Sequence, residues 1–493
     1  MALTKAVTTY GTVVGIPGEC GNTIFKGVPY AKPPVGNLRL MPPVAPDNWS
    51  GERLCDRFSS ACIQYTRKAP MSGAPSAGHA PPPEPHFVES EDSLYLNIWT
   101  CAESPEENLP VMVWIHGGGF NKGAGFEPEF DGTAFNKNGV ILVTINHRGG
   151  AMGYLTHPFL DQRDPRGVSG NYGLLDQIAA LKWVKENISA FGGDSEKVTV
   201  FGQSSGGMST KFHLCTPLSR GLFKRAIIQS GGGLNGGDPV RPLKELQEIT
   251  DNALNILGWT PGELLTRDAK EVTQMISAAA EEYMQGKELF IYQPCIDGYV
   301  FTELPELSIV KGTMNEADIM SGSVIGDSWM FSRRVRHLLA DRPETLRAFA
   351  YSPSLSLARY QNRTGQKPVY TYFLERDQGQ GRGMPHSADL AYVFGTLDKR
   401  DNKNTLTPYD YDMSEKLNTY WSNFAKTGNP NGDGLPLWPA YTEETPLTLH
   451  CTDDCIVAEN IVDNIEADNV IEYTITHPGM LENLDGFEIE FNS

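Results

Sequence analysis

Residues 197–214 form the stretch that decides the fold class, KVTVFGQSSGGMSTKFHL. The apolar run at 197–201 is typical of a strand that is covered on both faces, and a helix is expected after the glycines. Between them lies the G-x-S-x-G motif GQSSG at 202–206. In this strand–turn–helix context the small glycines permit a sharp turn that exposes the Ser204 hydroxyl at the end of the sheet. The stretch predicts a nucleophilic serine; the alternative is a glycine-rich turn without chemistry.

Segments on both sides of this motif continue the alternation of strands and helices. A helix with one buried apolar stripe is predicted at 172–188, ended by two glycines at 192–193. Strands between helices indicate an α/β fold with a mostly parallel, doubly wound sheet. Further buried strands are predicted from short apolar runs at 109–115, 139–146, 225–229 and 369–373.

A glycine loop, His116-Gly117-Gly118-Gly119-Phe120, directly follows the predicted strand at 109–115. A serine nucleophile needs hydrogen-bond donors for the oxyanion of its tetrahedral intermediate, and backbone N–H groups supply them already oriented. We predict that the donors are the N–H groups of Gly117, Gly118 and Ser205. Alone, the glycine loop could be a simple turn; together with the serine motif it is specific.

The two motifs together resemble the type-B carboxylesterase/cholinesterase family of the α/β-hydrolase superfamily. The resemblance implies one α/β-hydrolase domain over residues 1–493, with a central sheet flanked by helices. It also implies hydrolysis of carboxylic esters through an acyl-enzyme, with a catalytic triad in the chain order Ser, acid, His. Further matching segments are FKGVPYAKPP at 25–34, SEDSLYLN at 90–97, GNYGLLDQ at 170–177 and NFAKTGNPN at 423–431.

The catalytic histidine is expected late in the chain, on a loop. The segment GMPHSADL at 383–390 is similar to the family's catalytic histidine segment, in which a loop delivers the ring and a helix follows. It implies that His386 is the base. His213 lies inside the helix expected after Ser204 and is interpreted as a packed or surface residue. The candidates after Ser204 are His213, His337, His386, His450 and His477.

The acid of the triad is implied at Asp327, in IMSGSVIGDSWMF at 319–331. The family usually carries a glutamate followed by glycine here, whereas this chain has aspartate followed by Ser328. Aspartate is one methylene shorter but can still orient an imidazole Nδ1–H. The alternative is that Asp327 caps a helix and another acid acts. Glu316 and Asp318 are near, but they precede the strand and are expected at its wrong end.

Three further positions depart from or resemble the family pattern. Ser230 resembles a serine that steadies the acid or the histidine, and we assign it a supporting role. Gln203, also supporting, replaces the usual glutamate before the nucleophile, which should favour anionic over cationic substrates. Ser93 stands where secreted members have a disulfide cysteine. Cys62, its implied partner, would then be free, which agrees with a reducing compartment.

Two regions are expected to lie outside the regular sheet and helices. Residues 68–85, rich in Pro, Ala, Ser and Gly, predict an irregular surface loop, and 235–315 predict a helical cap or lid insertion. Four aromatic residues in or near this insertion could line a substrate pocket or simply belong to the core. They are Tyr283, Phe290, Tyr292 and Trp329.

Composition restricts the partners. Lys and Arg number 41 against 60 Asp and Glu, so the formal net charge is −19. A body this acidic is repelled by phosphate backbones and anionic lipid, which argues against nucleic-acid and membrane-surface partners. No apolar stretch approaches the ~20 residues that span a bilayer. The start lacks a signal-like apolar region, so we expect a cytoplasmic enzyme unless a leader has been removed.

The cysteines do not have the spacing of a metal site or a disulfide framework. Cys451 and Cys455 are the closest of the eight, and two separate thiols are favoured over a bridge or a metal site. No metal or organic cofactor is expected.

The predicted function is therefore a serine hydrolase that acts on a small-molecule ester. A related acyl bond (lactone, thioester, carbamate or amide) is an alternative, because the pocket selects the leaving group. A noncatalytic binding protein on the same scaffold is the other alternative. The sequence does not determine the natural substrate or the oligomeric state.

Overall fold

The computed structural model describes residues 2–65, 87–234, 240–285, 290–330, 343–377, 383–400 and 403–462. The predicted surface loop at 68–85 lies outside these ranges, and so do His337 and His477. The predicted insertion at 235–315 is described apart from 235–239 and 286–289.

A mixed sheet of eleven strands forms the centre of the described chain, in the order β16-β15-β14-β13-β10-β9-β7-β8-β6-β4-β3. The seven strands from β15 to β8 pair in parallel, and only the flanking strands are antiparallel. This confirms the predicted α/β class with a mostly parallel sheet. The described strands are β1 (Lys5–Val7), β2 (Thr12–Val14), β3 (Ile16–Pro17), β4 (Thr23–Pro29), β5 (Glu52–Leu54), β6 (Tyr95–Thr100), β7 (Leu109–Ile115), β8 (Ile141–Ile145), β9 (Gly193–Gln203), β10 (Arg225–Gln229), β11 (Arg241–Pro242), β12 (Cys295–Ile296), β13 (Asp318–Val324), β14 (Tyr370–Leu374), β15 (Thr448–Cys451) and β16 (Ile456–Glu459).

Helices connect these strands, as expected of parallel pairs that need crossover connections. They are α1 (Thr133–Lys137), α2 (Gly150–Tyr154), α3 (Pro158–Asp161), α4 (Tyr172–Asn187), α5 (Ser205–Cys215), α6 (Leu243–Leu257), α7 (Glu263–Thr266), α8 (Ala269–Tyr283), α9 (Pro305–Lys311), α10 (Pro343–Arg363), α11 (Asp389–Phe394) and α12 (Pro408–Thr427). The described part of 235–315 consists largely of α6 to α9 and a short parallel pair of β11 with β12. Its role as a cap stays a prediction.

The strands match the predicted positions closely because their apolar runs are buried on both faces. β7 and β10 have the predicted bounds, whereas β8 is shorter than 139–146. β9 is longer than 197–201 and runs from Gly193 to Gln203. It pairs with β10 from Thr199 to Gln203 and with β7 at Gly193 and from Val198 onward, and a register shift separates these two stretches of the β7 pairing.

Helix α4 shows why the prediction of one apolar stripe was too narrow. Its first half, including Leu174 and Ile178, packs in a core shared with α6 and α8. Its second half, including Leu181 and Val184, packs in the main core around the sheet. The helix therefore passes from one core into the other and is buried on more than one face. The chain leaves it through a short 3₁₀ turn, which ends at Gly192 with φ 82°.

Trp114 anchors the main core and gives a test of it. The side chain is fully buried, and its ring centroid lies 4.8 to 5.0 Å from those of Phe130, Phe201 and Phe394. We expect Trp114→Ala to destabilise the fold by about 3–5 kcal/mol, because the cavity cannot refill. The measurement is the midpoint of urea unfolding.

Trp259→Ala is the matched control, because Trp259 is only partly buried and lies under Arg267, 4.3 Å from ring centroid to guanidinium carbon. Loss of such a contact costs only about 0.5–1 kcal/mol at an exposed site. Equal shifts of the two midpoints would contradict the assignment of Trp114 as a core anchor.

Candidate active site

Ser204 lies at the turn between β9 and α5, as the sequence predicted. Its backbone has φ 57° and ψ −126°, a conformation that L-residues rarely adopt and that costs about 1–3 kcal/mol. The two flanking glycines permit this turn. A Cβ atom at Gly206 would collide with the carbonyl oxygen of Ile115, and one at Gly202 would collide with the carbonyl oxygen of Gly206. The turn leaves Ser204 partly exposed at the carboxyl end of β9.

The glycine loop after β7 packs against this turn. A Cβ atom at Gly117 would lie 3.3 Å from the Ser204 Cβ and 2.8 Å from the Gln203 carbonyl oxygen. Gly118 has φ +115°, which favours glycine. Among the described residues, the N–H groups of Gly117 and Gly118 donate no hydrogen bond, and the Ser205 N–H lies in the first turn of α5, where intrahelical acceptors are missing. Gly117 is thus adjacent to Ser204, and the role of the three N–H groups as oxyanion donors stays a prediction.

His116 fixes the start of the glycine loop, a role that the sequence analysis missed. Its ring nitrogen Nδ1 lies 2.8 Å from the Gly117 carbonyl oxygen, to which it can donate. The ring stacks on His147 with centroids 4.3 Å apart. Burial, reinforced by the neighbouring imidazole, lowers the pKa of His116 to about 3, so the ring is neutral at working pH. The signal was its place as the first residue of the glycine loop.

The implied acid and base are in direct contact. Asp327 Oδ1 lies 2.5 Å from His386 Nδ1. Asp327 belongs to a 3₁₀ turn, Ile325–Met330, that directly follows β13. His386 belongs to the loop that precedes α11. A carboxylate can only accept, so the proton of this hydrogen bond is on Nδ1 and the other ring nitrogen, Nε2, is the acceptor.

Gly326 allows these two segments to meet. Its N–H donates to the Met384 carbonyl oxygen at 2.9 Å. A Cβ atom at Gly326 would lie 2.5 Å from that oxygen and 2.6 Å from the backbone nitrogen of His386. Real Cβ atoms do not approach so closely, so the position of Asp327 beside His386 depends on this glycine.

The electrostatics of His386 suit a base. Burial lowers its pKa, but the charge and the hydrogen bond of Asp327 raise it by more, so the pKa lies above the ordinary value of 6.5. The imidazole remains 26% exposed and Asp327 13% exposed. The ring is therefore held by the protein and still accessible from the outside.

Gln203 links Ser204 to His386. Its side-chain nitrogen lies 3.2 Å from His386 Nε2, and an amide N–H can donate to that atom. This contact favours the same tautomer as Asp327 does. No hydrogen bond joins the Ser204 hydroxyl to His386 in the part of the chain that the structure describes. Ser204 and His386 are instead both adjacent to Gln203, one through the chain and one through this contact.

The backbone of Ser230, rather than its side chain, makes the hydrogen bond that holds this residue next to β13. It has φ 52°, and its N–H donates to the Gly322 carbonyl oxygen at 2.8 Å. Its hydroxyl is buried and has no hydrogen-bond partner among the described residues. The structure therefore does not join the Ser230 hydroxyl to Asp327 or His386.

The alternative acids and bases lie elsewhere. Asp318 begins β13, at the opposite end from Asp327, and pairs with Lys367 at 2.8 Å. His213 is a packed residue, as predicted. Its ring nitrogens contact the side chains of Ser219 at 2.9 Å and Gln177 at 3.0 Å.

Of the candidate pocket aromatics, Phe290 borders the glycine loop. A Cβ atom at Gly119 would be in ordinary contact with the Phe290 ring, at 3.5 Å. Tyr292 is buried, whereas Tyr283 is exposed and donates to Glu248. The Trp329 side chain lies outside the described residues.

The described residues hold no group of three or more His, Cys, Asp or Glu that could bind a metal. All eight cysteines lie in the described ranges, and none of them forms a disulfide. Cys451 is buried and Cys455 exposed, so they are two separate thiols, as expected. Burial raises the pKa of Cys62 to about 11, which makes this thiol unreactive.

None of the described helices is long and apolar enough to cross a membrane.

Sheet, serine turn and glycine loop together define an α/β-hydrolase. The model of the carboxylesterase family matches residues 3–342 and 345–465, and the chain belongs to this family. It is 34% identical over 491 residues to the para-nitrobenzyl esterase of Bacillus subtilis (strain 168), covering 92% of this chain and 95% of the relative. It is 33% identical over 473 residues to the fumonisin B1 esterase of Sphingopyxis macrogoltabida, covering 88% and 84%.

Solved structures agree with these relatives. A PNB esterase structure has a TM-score of 0.77 at 30% identity, covering 95% of this chain and 99% of the other. The Geobacillus stearothermophilus carboxylesterase EST55 at pH 6.8 has a TM-score of 0.75 at 31% identity, covering 94% and 99%. The protein is a carboxylic ester hydrolase of the serine hydrolase class.

The close approach at Gly326 gives a test of the site geometry. We expect Gly326→Ala to push the Asp327 turn away from the His386 loop and to lower kcat/KM for a p-nitrophenyl ester by about 10²-fold, the cost of a misplacement near 1 Å. Gly262→Ala is the control, since a Cβ atom there meets nothing within 4 Å. Unchanged kcat/KM in Gly326→Ala would contradict the dependence on this glycine.

Proposed function

We propose that the protein cleaves carboxylic esters to carboxylate and alcohol through an acyl-Ser204 intermediate, with His386 as general base. Asp327 holds His386 in the tautomer whose Nε2 can take a proton. The observation that carries the proposal is the 2.5 Å contact of Asp327 Oδ1 with His386 Nδ1, beside the turn that exposes Ser204. Membership of the carboxylesterase family supports the same reaction.

The first half of the reaction acylates the serine. The Ser204 hydroxyl takes the place of the Gln203 amide at His386 Nε2, gives up its proton and attacks the ester carbonyl carbon. The N–H groups of Gly117, Gly118 and Ser205 donate to the oxyanion. Each such donor is worth about 3 kcal/mol of transition-state stabilisation. The leaving alcohol then takes the proton from Nε2.

The second half releases the acid. Nε2 removes a proton from water, which attacks the acyl carbonyl. As the tetrahedral intermediate collapses, Nε2 returns this proton to the Ser204 oxygen, and the released carboxylic acid ionises to carboxylate. Asp327 stabilises the imidazolium in both halves without itself becoming protonated. All the groups used belong to this chain.

The substrate class is a small-molecule ester without a positive charge beside the carbonyl. Gln203 is neutral and buried next to Ser204, so the site has no carboxylate there to attract a cationic group. This favours neutral and anionic esters over choline esters. The excess of acidic residues argues against nucleic acid as a partner. Eight cysteines without a disulfide support a cytoplasmic location.

A related acyl bond is the second candidate, because the same serine chemistry cleaves lactones, thioesters, carbamates and amides. A noncatalytic binding role is disfavoured, since the nucleophile and the acid–base pair are all present. A panel of these substrates with varied acyl and alcohol groups separates the candidates.

The Ser204→Ala variant is the first test, with this panel as the assay. We expect hydrolysis to fall by at least about 10³-fold, because the bond to the acyl group can no longer form. A fluorophosphonate probe should label the wild type, with loss of fluoride, and not the variant. Appreciable hydrolysis by Ser204→Ala, or labelling at another residue, would overturn the proposal.

The pH profile of Asp327→Asn tests the acid. The wild type gains activity as pH rises through the pKa of His386, which Asp327 raises. We expect the variant to lose about 10⁴-fold in kcat, since the carboxamide favours the wrong tautomer. We also expect the acid limb of its profile, the range in which activity rises with pH, to move to lower pH. Asp318→Asn, at the far end of β13, should keep the wild-type profile. If both variants behave alike, Asp327 is not the acid.

A further inference from the structure

A second carboxyl group, that of Asp389, is buried near the candidate triad, and the reaction steps above do not use it. Asp389 is the first residue of α11, three residues after His386, and its side chain is completely buried. Burying a carboxylate is costly unless it is hydrogen-bonded or paired with a cation. Its contacts therefore need an explanation.

One oxygen of this carboxyl is held by a short chain of side chains. Trp421 Nε1 donates to Gln229 Oε1 at 3.2 Å, and Gln229 Nε2 donates to Asp389 Oδ2 at 2.8 Å. An indole can only donate, so Trp421 fixes which end of the Gln229 amide faces the carboxyl. Gln229 also accepts the Ser204 N–H with its backbone carbonyl, at 2.9 Å. Asp389 is thus fixed relative to the serine turn.

The other oxygen, Oδ1, is buried and has no hydrogen-bond partner among the described residues. Arg400, a nearby cation, donates instead to the backbone carbonyl of Ala388 at 3.2 Å. The Asp389 carboxyl therefore has Gln229 as its side-chain donor, its own backbone N–H as a further neutral group that favours the charged form, and no ion pair among the described residues. Such a carboxyl has little to stabilise its charge besides the imidazole of the site.

The charged and titratable groups that act on this region come from several elements. Asp327 and His386 both affect the titration of Asp389, and Asp389 in turn affects His386. Burial, with the charge of Asp327 added, raises the pKa of Asp389 to about 6, against the hydrogen bond of Gln229. The remaining groups are Glu129, Glu127, Arg400 and Tyr372.

Glu129 is another carboxyl group in this region, and it differs from Asp389 in its electrostatic effect on His386. Burial raises its pKa to about 7, with Arg400 opposing and Glu127 and Asp389 adding to the rise. Its interaction with Asp389 is mutual, but Glu129 is not among the groups that shift the pKa of His386. Below pH 7 it is mainly protonated, so glutamine resembles its form there.

We propose that Asp389 is a positioning residue that acts on His386 through its charge and sets the lower pH limit of ester hydrolysis. This inference rests on the proposed role of His386 as the base. When Asp389 is ionised, its negative charge favours the imidazolium that forms as Nε2 takes the proton of Ser204. When Asp389 is protonated, that stabilisation is lost. Gln229 keeps the carboxyl in place and favours its ionised form.

The test is the dependence of kcat/KM on pH between 5 and 9, with a neutral p-nitrophenyl ester. Asp389→Asn keeps the size of the side chain and can still accept from Gln229. Without the negative charge the pKa of His386 falls, so the acid limb should move to lower pH by about half to one unit. The plateau should fall severalfold, because the imidazolium is less stabilised. Glu129→Gln is the matched control and should leave the acid limb in place.

A second variant covers the case in which Asp389→Asn does not fold. Gln229→Leu removes the donor to Asp389, so the carboxyl stays protonated to higher pH and the acid limb should move in the same direction. Fluorophosphonate labelling at pH 8 reports whether each variant has a formed site.

Two results would overturn the inference. One is an acid limb at the wild-type pH in both Asp389→Asn and Gln229→Leu, and the other is an equal shift of the acid limb in Glu129→Gln. Its failure is separable from that of the proposed function. Hydrolysis that survives in Ser204→Ala removes the proposed function, whereas an active, serine-dependent enzyme with an unmoved limb removes only the role of Asp389.

Discussion

The site depends on main-chain approaches that are closer than any side chain permits. Gly117 lies against Ser204, Gly206 against the end of β7, and Gly326 against the His386 loop. Each of these contacts joins the carboxyl ends of strands that are far apart in sequence. Parallel strands bring their ends to one edge of a sheet, but only glycine lets the connecting loops meet there. The chemistry therefore follows from three missing Cβ atoms as much as from the reactive side chains.

Around this geometry, charge is distributed unequally about one imidazole. Asp327 contacts Nδ1 of the ring directly, and Asp389, which raises the pKa of the same ring, is buried without an ion pair among the described residues. The neutral amide of Gln203 contacts the other ring nitrogen. A carboxylate thus contacts Nδ1, where it stabilises an imidazolium, whereas the group at Nε2 carries no charge. A glutamate at 203 would have made the two sides more alike.

Local patterns predicted most of the sheet and part of the site. The bounds of β7 and β10 follow from short apolar runs, and Ser204 follows from a strand–turn–helix motif, because these signals lie within a few consecutive residues. Asp327 and His386 came from resemblance to a family, since no local rule joins residues 59 positions apart. Asp389 was overlooked because its importance arises from burial and from the Gln229 contact, neither of which a linear pattern encodes.

Helix α4 has a consequence for how the molecule responds to stress. Sixteen residues long, it spans about 24 Å and has one end among the side chains of α6 and α8 and the other beneath the sheet. A rigid rod embedded at both ends transmits displacement from one end to the other. Loosening the region of α6 and α8 by heat, by denaturant or by a large bound molecule would strain the sheet through helix α4. The two cores would then melt together, as one cooperative transition.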